Sequence, residues 1–273
     1  MDDAERLQGY VDVWAGCVDD VVALLRDLSP EDWDRPTDLA GWDVRAVAAH
    51  LAHLESELAG RAQDRVEVPE LEHVLTPLAR YTERGPIARR DWPVDRIVEE
   101  LADSAAQRLT ELRADPPTDG SATAPRTPAG IGWSWTTLLS NRIVDVWMHE
   151  QDLRRALDRP GGLDTPGAAH TVDTFLRAFG YVVGKRVAPP AGTTVVLQVT
   201  GAQARAAAVE VGADGRGVPL PEAPEQPTVR LRMDTEAYVV LSGGRRAADR
   251  VPVEVDGDPD LAARVLAALP VTP

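Results

Sequence analysis

The chain has almost no cysteine. Its single thiol, Cys17, cannot form an internal disulfide or a thiolate cluster, so any metal must be held mainly by nitrogen and oxygen. Positive charge is also short: 29 Lys and Arg against 44 Asp and Glu leave a formal net charge of -15. A phosphate backbone needs a Lys/Arg surface to displace its counterions, so nonspecific nucleic-acid binding is disfavoured and only a local basic pocket is left open. No apolar run is long enough to cross a bilayer, which disfavours a membrane partner. The opening MDDAERLQGY is acidic and polar, unlike a secretory signal or an Arg-rich transit peptide, and a cytoplasmic protein is expected.

What is present is a chain of 273 residues, 44% hydrophobic, near the size at which one core gives way to two. Leu7, Val11, Trp14, Val18, Val21, Leu25 and Leu28 recur at spacings of three and four and mark a long first helix. Ser29, Pro30 and Asp32 form the start signal of another helical segment. Asp43 is the N-cap of a helix carrying Val44, Val47, Leu51, Leu54 and Leu58, with Gly60 as its stop. The pattern predicts a third helix over Pro69 to Arg84 and a fourth from Pro93 to about Leu112.

The segment ADPPTDGSATAPRTPAGIG then reads as a long loop, and loops of that length are often functional. A helix through NRIVDVWMHEQDLRRAL follows, then another through AAHTVDTFLRAFGYVVGKR. After about Pro189 the texture changes. TTVVLQVT, ARAAAVEVG, TVRLRM and RVPVEVDG read as strands, with DTEAYVVLSGG and DPDLAARVLAALP as helices. The expected architecture is α plus α+β: a helical domain over 1–186 and a small α+β domain over 187–273. The strand edges allow pairing between copies, and a monomer or weak homodimer is expected.

Asp145 and His149, four apart, are separated by about 40° around a helix and share a face. Taken alone, such a pair is more often ordinary surface or core structure than a pair of ligands, and Arg142 and Asp152 nearby are compatible with a solvent-facing stripe. His50 adds some weight to the metal reading. It lies beside the apolar stripe of the second helix, where a half-buried imidazole needs either a hydrogen-bond partner, such as Asp145, or a metal. A bundle can bring His50 across from Asp145 and His149, giving two nitrogens, one oxygen and an open fourth position, the arrangement of catalytic zinc.

His53 and Glu57 form a possible competing cluster, although His53 is expected to face solvent; His73 and His170 have no comparable setting. Most of the seven tryptophans read as packing. Trp133 and Trp135, which end the long loop, are candidates for a pocket wall and for cofactor binding. LAGW and SGGRR lack the spacing of a phosphate loop, and no serine lies in a nucleophile elbow. Cys17, among apolar positions of the first helix, is expected to be inert.

DLAGWDVRAVAAHLAHLE and RIVDVWMHEQDLRRAL, taken together, resemble the two diagnostic segments of the mycothiol-dependent maleylpyruvate isomerase family, and DTEAYVVLSGGRR with VEVDGDPDLAARVLAAL resembles its C-terminal domain. The resemblance implies a DinB-like four-helix bundle followed by a small sterol-carrier-like domain. It implies zinc, or another divalent metal, on His50, Asp145 and His149, the family's isomerase having glutamate at the position of Asp145. It also implies mycothiol as a low-molecular-weight thiol cofactor. The activity implied is cis–trans isomerisation of a small unsaturated acid. The alternatives are mycothiol S-transfer to a small-molecule electrophile and a non-enzymatic metal-binding role. An anionic substrate requires positive partners, for which Arg84 and Arg245 are the catalytic candidates. Taken alone, each reads as a surface arginine.

Overall fold

The computed structural model describes residues 2–272, and the chain divides into two compact units between Pro160 and Gly161. The first unit is a helical bundle. Its helices are α1 (Asp3–Arg26), α2 (Val44–Leu58), α3 (Pro77–Thr82), α4 (Arg84–Arg89), α5 (Val94–Ala114) and α6 (Trp135–Ala156), with a 3-10 turn at Pro30–Asp34. Its four long members, α1, α2, α5 and α6, pack around a common core that includes Leu7, Trp14, Val47, Leu101, Ile143 and Trp147.

Local chemistry accounts for most of the boundaries. Asp2 caps α1 in a reciprocal box with Glu5, and the Asp43 carboxylate accepts the Ala46 N–H at 2.7 Å to start α2. Ser134 caps α6 through the Thr137 N–H. The helix expected over Pro69 to Arg84 is shorter and divided. Thr76 caps it, Pro77 occupies its first turn, and a second short helix begins at Arg84. A helix started at Pro69 would have placed Pro77 in its interior, where the missing N–H and the ring clash cost about 3 kcal/mol; at the first turn the same residue is favourable.

Helix α4 lies unusually close to α2. A Cβ on Gly85 would fall 2.8 Å from His53 Cβ, 3.0 Å from the Ala49 carbonyl oxygen and 3.2 Å from His50 Cα. Only a residue without a side chain lets α4 seat against the backbone that carries His50.

The second unit contains α7 (Pro166–Arg177), a helical turn α8 (Phe179–Tyr181) and a π-helical turn (Val182–Val187). A five-stranded mixed sheet follows, formed by β1 (Thr194–Thr200), β2 (Arg205–Val211), β3 (Gly217–Pro219), β4 (Val229–Asp234) and β5 (Glu254–Gly257) in the order β3-β2-β1-β4-β5. Strand β1 pairs antiparallel with β2 and parallel with β4. Helices α9 (Thr235–Ser242) and α10 (Pro259–Ala268) complete the unit.

The division precedes the expected 186/187 boundary, because residues 161–186 pack with the sheet unit. Phe175 meets Tyr238 of α9 edge to face with ring centroids 6.5 Å apart, Asp173 pairs with Arg205 of β2 at 2.9 Å, and Gln203 donates to the Leu163 carbonyl. No helix among the described residues is long and apolar enough to cross a membrane.

The core of the bundle is not purely apolar. Glu55 of α2 is fully buried and bonded from three other helices. Trp14 Nε1 of α1 donates to it at 3.0 Å, Arg108 Nη1 of α5 at 3.0 Å, and Arg142 of α6 through Nε at 3.1 Å and Nη2 at 2.7 Å. Removing one member of such a cluster leaves uncompensated buried charge. Glu55→Ala should therefore lower the free energy of unfolding by about 3–5 kcal/mol, read as a shift of the urea midpoint followed by circular dichroism.

Candidate metal centre

Helices α2 and α6 bring three donor atoms to one place. His50 Nε2 and His149 Nε2 each lie 3.7 Å from Asp145 Oδ1, and the three donors all lie within 4.8 Å of one another. The imidazole centroids are 4.9 Å apart and nearly edge to face. Both histidines are buried, whereas the Asp145 side chain is 31% exposed, so the cluster opens to solvent on the aspartate side.

The spacing is too wide for a hydrogen bond and close to that of ligands around one small ion. Donors about 2.0–2.2 Å from a tetrahedral zinc lie about 3.4 Å from each other. The surrounding bonds point the same way. His149 Nδ1 donates to Asp152 Oδ2 at 3.1 Å, which leaves the Nε2 lone pair directed toward Asp145. Asp152 accepts from Arg155 Nη2 at 2.5 Å, and Arg155 Nε reaches Asp38 at 2.8 Å. Arg142 Nη1 occupies Asp145 Oδ2 at 2.7 Å, leaving Oδ1 for the other two donors. The Nδ1 atom of His50 is buried without a hydrogen-bond partner. These two nitrogens and one oxygen fit a divalent ion with an open position.

Electrostatics favour the ligating forms of Asp145 and His50. Burial works to raise the Asp145 carboxyl, but Arg142, His149 and His50 hold it well below the usual carboxylate range. Burial lowers the His50 imidazole against the opposing pull of Asp145 and so favours the neutral ring. Arg142 and Asp152, read from sequence as compatible with a solvent-facing stripe, are both buried: the charge partners lie in Glu55, Asp145, His149 and Arg155.

Three residues absent from the sequence-based site complete one wall. The Trp42 ring lies 4.9 Å from the His50 ring and 6.0 Å from the His149 ring, the latter stacked at 30°. Its indole N–H donates to Glu83 Oε1 at 2.5 Å, and His73 Nε2 is 2.7 Å from the same oxygen. The only sequence signal was the position of Trp42 next to the Asp43 cap; nothing local connects residue 42 with 73 and 83.

The other candidates are not among the converging donors. Trp133 and Trp135 pack against Leu58, Ala124 and Leu138; Trp135 precedes Asp145 by ten residues, about 15 Å along a helix. Arg84 is exposed, with its guanidinium 5.7 Å from the Tyr81 ring centroid, while the Tyr81 hydroxyl donates to Glu57. Arg245 lies in the second unit just after α9, where Nη1 donates to the Gly243 carbonyl at 2.7 Å. The His53/Glu57 cluster does not form. His53, expected at the surface, is buried with Nδ1 beside Gln63 and Arg89, because α4 covers that face of α2. Cys17 is buried, and burial with the charge of Glu150 pushes its thiol up to about 12, so it is no source of thiolate.

Comparison with protein families matches residues 14–154, just over half of the chain, to the mycothiol maleylpyruvate isomerase N-terminal domain. Two crystal structures of the mycothiol-dependent maleylpyruvate isomerase, one a histidine-to-alanine mutant, resemble the whole fold. The mutant is 18% identical with a TM-score of 0.54, and the other is 19% identical with a TM-score of 0.53; each match covers 95% of this chain and 99% of the other. At that identity the likeness is one of fold. Curated proteins yielded no match.

His53 supplies a pH test of this side of the bundle. Burial, reinforced by the Arg89 charge, lowers its pKa from 6.5 to about 4. Between those values the unfolded chain binds a proton that the native chain does not, so His53 contributes stability above pH 6.5 that is lost as pH falls toward 4. The loss should reach about 3 kcal/mol. Urea unfolding across that window should show a shallower acid loss in His53→Gln.

Proposed function

The chain belongs to the mycothiol maleylpyruvate isomerase N-terminal domain family, and from that premise we propose a metal-dependent enzyme that uses mycothiol as its thiol cofactor to isomerise a small unsaturated acid. The observation that carries this reading is the donor set itself: His50 Nε2, His149 Nε2 and Asp145 Oδ1 converge on one point with solvent access on one side. A structural metal would instead be expected in a closed shell of four protein ligands.

A divalent ion such as zinc, when bound there, supplies Lewis acidity that lowers the pKa of a coordinated thiol from its free value near 8.5. The thiol, when bound, supplies a nucleophile whose reversible addition to an activated double bond permits rotation. Everything else falls to the chain. Asp152 holds His149 in the tautomer that presents Nε2, and Arg142 keeps Asp145 ionised with one oxygen available. Trp42 packs beside both imidazoles and limits water on that side.

Because Cys17 is buried and its thiol raised, the reactive thiol comes from the cofactor. Arg84, exposed and ion-paired with no carboxylate among the described residues, is assigned to the substrate carboxylate. Trp133 and Trp135, partly buried against Leu58, Ala124 and Leu138, are assigned to the body of the cofactor.

Metal-replete protein incubated with mycothiol and maleylpyruvate should yield the isomerised acid and no stable adduct by mass analysis. A stable thioether formed with a generic electrophile, without isomerisation, would instead make the protein an S-transferase. His149→Ala should abolish both metal uptake and activity. Asp152→Asn should weaken metal binding by about 10–100-fold, as loss of an outer-shell carboxylate does. A His149→Ala protein that binds as much metal as the parent would sink the site.

A further inference from the structure

Glu83 is buried, and its Oε1 atom is bonded from two directions: by the Trp42 indole N–H at 2.5 Å and by His73 Nε2 at 2.7 Å. It accounts for the indole donor, which would otherwise sit unpaired in a half-buried position. His73 comes from the irregular segment 61–76, which precedes α3. Its ring is packed onto the turn that carries Trp42. A Cβ on Gly41 would come within 2.3–2.8 Å of three His73 ring atoms, and Gly41 has φ +80°, so this position tolerates only glycine for both steric and backbone reasons. Trp42 is thus held at both ends, at its backbone by the Gly41 turn under His73 and at its indole nitrogen by Glu83.

The other side of the indole meets the donor cluster. Trp42 is in ring contact with both His50 and His149, and those two rings contact each other. The tilt of the indole therefore bounds how far either imidazole can rotate toward or away from Asp145.

We propose that His73 and Glu83 form a positioning relay that sets the orientation of Trp42, and through it the spacing of the His50 and His149 donors. None of the three touches the reacting atoms as a catalytic residue. Their role is to keep two nitrogens at ligand spacing while the open side of the cluster admits substrate. The inference rests on the metal reading above, and it predicts that a residue on the irregular segment, remote in sequence from every donor, tunes metal affinity.

The test uses the full chain and two readouts that do not depend on turnover. The first is the indole N–H resonance of Trp42, identified by its loss in Trp42→Phe. The second is the visible absorption of bound Co2+, with its dissociation constant. Glu83→Ala should move the resonance upfield, alter the Co2+ spectrum and weaken Co2+ binding about tenfold, within the range for outer-shell partners. Glu83→Gln, which retains an acceptor oxygen, should recover most of each change. In a Trp42→Phe background, Glu83→Ala should add nothing further.

If Glu83→Ala does not fold by circular dichroism, His73→Ala decides on the same readouts, since that side chain is 23% exposed. Co2+ uptake with a resonance and spectrum indifferent to both substitutions overturns the relay alone. A parent protein that takes up no Co2+ overturns the metal reading, and with it the pocket that the relay shapes.

Discussion

A single buried carboxylate joins all four long helices of the bundle. Glu55 on α2 receives Trp14 from α1, Arg108 from α5 and Arg142 from α6. Two guanidinium groups in an apolar core are tolerable only with a compensating charge at hydrogen-bond distance. Arg142 has a second end, and that end holds Asp145. Core and candidate site are therefore one network: Glu55 fixes Arg142, Arg142 fixes one oxygen of Asp145, and the other oxygen faces His50 and His149. Burial works against the charge on Arg142, but its two carboxylate neighbours raise its pKa. The cationic form at the centre of the bundle is the stable one.

The same logic explains why the three donors are not equivalent. His149 is oriented by Asp152, itself held by Arg155. Asp145 is oriented by Arg142. His50 has no hydrogen bond at Nδ1, and its orientation comes from packing: its ring contacts Trp42 and His149, and Gly85 lets α4 approach its backbone. Two donors are set by charge-assisted bonds and one by shape, which makes the packing around His50 the more delicate part of the site.

Much of this was legible in particular residues. The periodic stripes of α1, α2, α5 and α6 and the caps at Asp43 and Ser29 matched observed helical starts, because a stripe at 3.6-residue spacing has one reading and a capping side chain acts within its own turn. His50, Asp145 and His149 were legible too, the last two through their shared face. Less legible were the elements whose pattern competes with a local breaker. Pro77 moved the start of the third helix, and β3, three residues long, left no readable pattern. Residues 161–186 are helical as expected, but helicity does not say which core a helix joins.

By itself, then, the sequence determined the long helices and the strand-rich C-terminal region, which rest on spacing, capping and residue type within a few turns of chain; it named the three candidate donors through the shared face of Asp145 and His149 together with the family resemblance. Only the tertiary structure decided that Arg142 and Asp152 are buried orienting groups, that His53 is covered, and that Trp42 stands beside two donors with Glu83 and His73 behind it. Those outcomes depend largely on contacts between residues far apart in the chain, such as Arg142 with Glu55 and Trp42 with Glu83. A buried charge or an indole wall is defined by what packs against it, and no local pattern encodes that partner.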